Sequence, residues 1–235
     1  MLVSYSNEPI IQEIFQEYLL KYGDKYLPEE LQYIVANVER FLYDIGAPDI
    51  LMEIYGELGL THKIGDFYGE HLNRINRRFG LDKNILEIGS GYMPAFAHKV
   101  AAYQQKIEKG TITIYEPLLI VDEPKYPNMK LYKEEFTKET PIQDYDLLVG
   151  ILPCEATTLI LEQAIANDKD FYVAMCGCNH STTKSMYRQP IDFYQQYVIN
   201  KTKYLLNEKG TSELVVERLS EDYDINYPIL HNKRH

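Results

Sequence analysis

Apolar positions along the first eighty or so residues recur at helical spacing. Ile11, Ile14, Phe15 and Tyr18 fall on one face, and Leu31, Ile34, Val35, Val38, Phe41 and Leu42 form a longer stripe. Pro28-Glu29-Glu30 opens that second helix, because proline suits a first turn and acids favour its positive end. A shorter segment over 50–58 ends at Gly59, and Tyr68, Leu72, Ile75 and Phe79 mark a helix stopped by Gly80. From Asn84 the pattern changes to short apolar runs: Ile85–Ile88, Thr111–Tyr115, Met129–Tyr132, Leu147–Leu152 and Phe171–Met175. Helix-compatible stretches such as Ala95–Glu108 and Ala156–Ala166 lie between most of them. Strands alternating with helices predict an α/β fold, a parallel sheet covered on both faces. A long helical segment, Ile191–Asn207, follows and is closed by Gly210. Two last strand candidates, Glu213–Leu219 and Ile225–Leu230, are joined by a turn-rich stretch and read as an antiparallel edge hairpin. The chain thus divides into an N-terminal helical region, 1–83, and an α/β domain, 84–235.

Composition narrows the class. With 235 residues, 45% hydrophobic and 25% charged, the chain is an ordinary globular sequence, neither disordered, collagenous nor coiled coil. No apolar stretch approaches the ~18–20 residues that span a bilayer. Met1–Glu8 carries no basic segment before an apolar run, so no secretory signal is expected there. Three cysteines in such a chain read as reduced thiols, and a cytoplasmic location is the expectation. A net charge of −11 opposes general binding to polyanions. The one local basic feature is Arg74, Arg77 and Arg78 on one helical face, with His71 and Lys83 nearby. A phosphate contact there competes with a simpler reading, in which cations settle at a helix C-terminus without any ligand.

The sharpest chemical signal is Leu86-Glu87-Ile88-Gly89-Ser90-Gly91, a strand that breaks through two glycines into a helix-forming run. Such a turn lets backbone approach a ligand closely at the C-terminal edge of a sheet. Glu116 ends the next strand, 25 positions after Gly91, where a carboxylate can accept both hydroxyls of a ribose. Pro94 stands where a dinucleotide fingerprint has its third glycine, so a nucleoside ligand without phosphates fits better than a pyrophosphate.

Glu87-Ile88-Gly89-Ser90-Gly91 resembles the first motif of the class I S-adenosylmethionine-dependent methyltransferases. Glu116 matches the ribose-binding acid of that family, and Glu134 or Glu135 lies where the family often has an acid near the adenine amine. Asp144–Gly150 is similar to the family's fourth strand, and the resemblance covers roughly residues 84–219. It implies a Rossmann-like, seven-stranded, mostly parallel sheet in the order 3-2-1-4-5-7-6, with the last strand antiparallel and an N-terminal helical extension. It also implies S-adenosylmethionine as cofactor, held by Glu87, Gly89, Ser90, Gly91, Glu116, Glu135, Ile151 and Leu152. The helical region then becomes a lid or substrate cover, with Tyr68 and its neighbours near the acceptor.

Two further segments carry less generic chemistry, Gly150–Thr157 with Cys154, and Ala174–His180 with Cys176, Cys178 and His180. They end the fourth and fifth strands, which are neighbours at about 4.8 Å in such a sheet. The pairing resembles a methyltransferase branch with Leu-His-x-Cys and Cys-Cys-x-His-like motifs that includes tRNA 2′-O-methyltransferases. Here Leu152 replaces the histidine, and Gly177 separates the two cysteines. The thiols can line a substrate pocket as soft apolar groups, which is the favoured reading. Zinc ligation by Cys154, Cys176, Cys178 and His180 and a nucleophilic thiolate are the alternatives, and no metal is assigned. Glu155 is either a general base raised by burial or a cap for the helix that follows, and His180 sits in a polar loop. The candidate catalytic residues are therefore Cys154, Glu155 and His180.

The expected activity is methyl transfer to an acceptor the sequence does not name, whether small molecule, protein or RNA, with nucleic acid not favoured. The competing functions are a nicotinamide dinucleotide oxidoreductase and a non-catalytic S-adenosylmethionine-binding protein.

Overall fold

The computed structural model describes residues 67–91, 94–119, 121–176, 191–219 and 227–234. The helical stripes read between residues 11 and 58, together with Cys178 and His180, lie outside these segments. Helix α1 (Phe67–Phe79) leads into β1 (Asn84–Ile88), α2 (Ala95–Ile107) and β2 (Thr111–Tyr115). Then come β3 (Met129–Tyr132), β4 (Leu147–Ile151), a 3-10 turn (Cys154–Ala156), α3 (Thr157–Ala166) and β5 (Asp170–Ala174). The long α4 (Ile191–Lys209), β6 (Ser212–Glu217) and β7 (Ile229–Arg234) complete the described chain. No helix among the described residues is long and apolar enough to cross a membrane.

The strands form one seven-stranded sheet in the order β3-β2-β1-β4-β5-β7-β6. Pairing is parallel from β3 to β5, whereas β7 runs antiparallel to both β5 and β6. This is the order that the resemblance to class I methyltransferases implies. Alternation along the strands divides the interior into two cores. Ile85, Ile112, Leu147, Val149 and Tyr172 pack against Tyr68 and Ile75 of α1 and Phe96 and Val100 of α2. Leu86, Leu148, Phe171 and Val173 pack on the other face against Ile160 and Leu161 of α3 and Tyr194 and Val198 of α4. Central strands buried on both sides need apolar residues at consecutive positions, which is why β4 reads as the continuous run Leu-Leu-Val-Gly-Ile. Each large side chain so buried contributes roughly 1.5–3 kcal/mol.

The last strand departs from the pattern-based expectation. Strand β7 spans Ile229–Arg234 rather than Ile225–Leu230. Pro228 lacks an N–H and precedes the ladder, while its carbonyl accepts from the N–H of Met175 at 2.9 Å. The strand instead takes in the polar His231 and Asn232, both buried. Asn232 belongs there because its Oδ1 accepts from the N–H of Phe171 at 3.0 Å. Helix α1, within the region read as 1–83, packs its apolar face into the sheet core, and Tyr68 is buried there.

Candidate functional site

In the sheet, β1 and β4 are neighbours whose following helices leave to opposite faces, α2 to one and α3 to the other. A switch point of this kind opens a crevice beyond the C-terminal ends of the strands. After β1 the chain turns through Gly89 and Gly91, both left-handed with φ of 73°. A Cβ on Gly89 would lie 2.9 Å from Pro153 Cα, so the loops after β1 and β4 approach through bare backbone. A Cβ on Gly91 would meet nothing within 4 Å, so that residue borders open space.

Glu116, immediately after β2, is held by two backbone donors. The Gly91 N–H donates to its Oε2 at 3.0 Å, and the Leu118 N–H donates to its Oε1 at 2.8 Å. Each oxygen keeps a lone pair for another donor. Burial raises the Glu116 carboxyl above its ordinary range, and the two N–H groups oppose that shift. Glu87, on the last turn of β1, is more deeply buried and is pushed up to about 8. Burial is the main cause, the Ala97 N–H works against it, and the nearby Glu116 charge adds to it. The Glu87 carboxyl therefore carries its proton at neutral pH. Glu87 Oε2 and Ser90 Oγ are buried without a hydrogen-bond partner among the described residues. An orphaned buried polar atom costs ~1–3 kcal/mol unless water or a ligand meets it.

The end of β4 holds a feature that sequence reasoning missed. Leu152 and Cys154 are both left-handed, with φ of 56° and 47°, although neither is glycine. Nothing in Leu-Pro-Cys marks such a conformation, since glycine or asparagine is its usual signal. Leu152 still donates its N–H to the Ala174 carbonyl at 2.8 Å, so the ladder to β5 continues into the strained turn. Backbone strain of this type collects at ligand-facing turns. Pro153 between them packs against Gly89 and Gly150, which closes the floor of the crevice.

The sequence-derived candidates separate into groups. Glu87, Gly89, Ser90, Gly91 and Glu116 come together around one loop, with Ile151 buried at the end of β4 and Leu152 part-buried beside it. Glu135 is exposed in the loop after β3, on the far side of Glu116 from the glycine turn. Glu155 is exposed in the 3-10 turn, so the burial that its reading as a base required is absent. The residues at the N-cap positions of the turn and of α3 are Pro153 and Ala156, neither of which makes a side-chain cap. Cys154 is half-buried and Cys176 is buried, and neither forms a disulfide among the described residues. Register pairs Ile151 with Ala174, and the hydroxyl of Tyr194 on α4 feels both sulfurs.

His71 is not part of the basic cluster in which the sequence placed it. Its ring is 1% exposed, with Nδ1 2.7 Å from the Tyr172 hydroxyl. Burial, with the Arg74 charge adding, lowers His71 to about 3, so the imidazole is neutral. The Tyr172 hydroxyl, itself pushed up by burial, keeps its proton and shares a hydrogen bond with Nδ1. Helical spacing puts residues 71 and 74 only about 60° apart around α1, yet that step separates a buried ring from a part-exposed guanidinium.

No protein-family model matches the sequence, and no curated protein matches it. Solved structures of similar outline include a putative class I S-adenosylmethionine-dependent methyltransferase from Listeria monocytogenes. It is 13% identical, with 96% of this chain and 79% of that chain covered and a TM-score of 0.46. The antibiotic-resistance methyltransferase Kmr is 9% identical over 70% of this chain and 92% of its own, with a TM-score of 0.45. A precorrin-6y C5,15-methyltransferase from Geobacter metallireducens is 13% identical over 72% and 88%, with a TM-score of 0.43. The sheet order itself is that of the Rossmann-like methyltransferase fold.

Proposed function

We propose that the crevice between β1 and β4 binds S-adenosylmethionine and that the protein transfers its methyl group to an acceptor. The observation that carries this reading is the set of polar groups around the glycine turn. Glu116 is aimed by two backbone N–H groups, and Glu87 Oε2 and Ser90 Oγ are left without partners among the described residues. A carboxylate fixed in this way suits the paired hydroxyls of a ribose, and charge-assisted bonds of that type are the strong ones. The protonated Glu87 and the Ser90 hydroxyl each add a donor deeper in the crevice. Pro94, at the start of α2, has no N–H to offer a pyrophosphate, which favours a nucleoside over a nicotinamide dinucleotide.

The bound donor would supply a methyl group already activated on a sulfonium. What the chain must add is alignment of donor and acceptor, and such positioning supplies ~7–11 kcal/mol. Gly89, Gly91, Ile151 and Leu152 form the walls and floor, and Glu135 stands at the outer, adenine side. Cys154, half-buried on its strained turn, serves the acceptor side as a small soft group, with Glu155 next to it and His180 following β5 in sequence. The acceptor is a small molecule or a protein group in preference to RNA, since the chain carries a net charge of −11.

Calorimetric titration with S-adenosylmethionine and separately with NADH tests the reading. Saturation by the first alone is expected. Glu116→Ala should weaken that binding by ~1.5–3 kcal/mol. An unchanged dissociation constant, or saturation by NADH instead, removes it. Binding without transfer to a broad acceptor pool would point to a sensor that retains only the cofactor site.

A further inference from the structure

A second site lies along α1, away from the glycine turn. Arg74, Arg77 and Arg78 of α1, Glu217 of β6 and Lys233 of β7 line a cavity of about 620 Å³. Arg78 and Lys233 also border an adjoining cavity of about 270 Å³, which Lys83 and Asp170 help to line. Lys83 precedes β1, Asp170 opens β5, and the last turn of α1 carries Arg77 and Arg78. This end of the cleft is therefore at the N-terminal edge of the sheet, opposite the crevice proposed for the methyl donor.

The charges in the larger cavity do not balance. Glu217 is the one carboxylate among its described lining residues, against four cations. Its Oε2 is 3.3 Å from Arg74 Nη1 and 4.0 Å from Arg78 Nη2. Arg77 bonds only the Asn73 carbonyl, at 3.3 Å, and has no carboxylate partner among the described residues. Lys233 makes no side-chain hydrogen bond or salt bridge among them, although the β6–β7 ladder sets Glu213 opposite it. A helix C-terminus accounts for cations in the last turn of α1, and Glu70 and Glu217 pair Arg74, but neither accounts for Lys233 on a distant strand. Like charges gathered at this spacing repel one another, and an anion between them removes that cost.

We propose that this cleft binds a compact diphosphate-bearing small molecule of nucleotide size. A volume of about 620 Å³ falls within the ~300–1,000 Å³ range of small-ligand sites. Guanidinium forks bind phosphate oxygens in pairs, and three of them share one helix face here. A nucleic acid would need cations continuing beyond the cleft, whereas Glu70 flanks Arg74 and Asp170 holds Lys83 at 3.2 Å.

Inorganic pyrophosphate titrated into the full chain by calorimetry at about 0.1 M salt is the direct test. The wild type should saturate, and the Arg77→Ser/Lys233→Ser variant should bind at least about tenfold more weakly. Neither replaced side chain forms a salt bridge among the described residues, so the fold should survive, as an unchanged melting temperature would verify. Lys233→Glu alone should weaken pyrophosphate as well and gives an independent reading. S-adenosylmethionine binding should be the same in all three proteins, which keeps this site separate from the crevice. Absence of saturation, or equal affinity in the variants, overturns the proposal. So does a short single-stranded RNA that binds the wild type but not the variants while pyrophosphate fails, because the cleft then serves nucleic acid.

Discussion

Beyond the ends of β1 and β4, Glu87 and Ser90 bury oxygens that meet no partner among the described residues, and two non-glycine residues hold left-handed backbone. On the face under α1 the polar groups form a linked series instead. Tyr172 bonds His71 at 2.7 Å and stacks on His231, whose Nε2 is 3.4 Å from Glu217, which in turn meets Arg74. Burial moves pKa values in both places; under α1 the His231 Nε2 makes only the 3.4 Å contact to Glu217, whereas the crevice leaves a carboxyl oxygen and a hydroxyl unmet among the described residues, beside left-handed backbone. Linked groups of the first kind tie helix to sheet, and unmet oxygens beside a strained turn at the C-terminal sheet edge mark where a ligand can supply the missing partners.

The sharpest way to break this contrast is at the two glycines. Gly89→Ala should destabilise by ~2–4 kcal/mol, because a left-handed alanine must also push into the Pro153 backbone. Gly91→Ala meets open space, so only the left-handed cost of ~1–2 kcal/mol should appear in chemical denaturation. Equal losses at the two positions would mean that the loops after β1 and β4 are not in contact.

Titration sharpens the comparison next, because the two regions respond to pH with opposite signs. Glu87 ionises near 4.5 when unfolded and near 8 when folded, so the folded state holds the proton between those values. Its contribution therefore falls as pH rises through that window, by up to about 1.4 kcal/mol per unit. Glu87→Gln should remove this slope relative to wild type. His71 takes a proton near 6.5 when unfolded but near 3 when folded, so its contribution is lost as pH falls from 6.5 toward 3. The paired variant His71→Leu/Tyr172→Phe should flatten that acid limb without leaving an orphaned hydroxyl. Stability curves that coincide with wild type in either window would contradict the burial described for that residue.

The elements were readable wherever local pattern and burial agree. Strands β2 and β3 lie where their β-branched and apolar runs placed them, and α1 ends at Gly80 as expected. Strand β7 was misplaced because its buried His231 and Asn232 look like surface residues until their partners are known. The glycine turn and Glu116 were visible as a motif. The left-handed Leu152 and Cys154 were not, since their conformation is imposed by β5 and by Pro153 packing on Gly89.

By itself the sequence determined the alternation of strand and helix, the bend after Ile88 and the acid that follows β2. Those features arise from side-chain periodicity and from glycine, which act over a few residues. Tertiary structure alone decided which charges are partnered. It sent His71 into the core and Arg74 to the cleft, exposed Glu155, and brought Lys233 to face α1. Burial and Coulomb forces depend on distance in space, and residues far apart in the chain supply most of them.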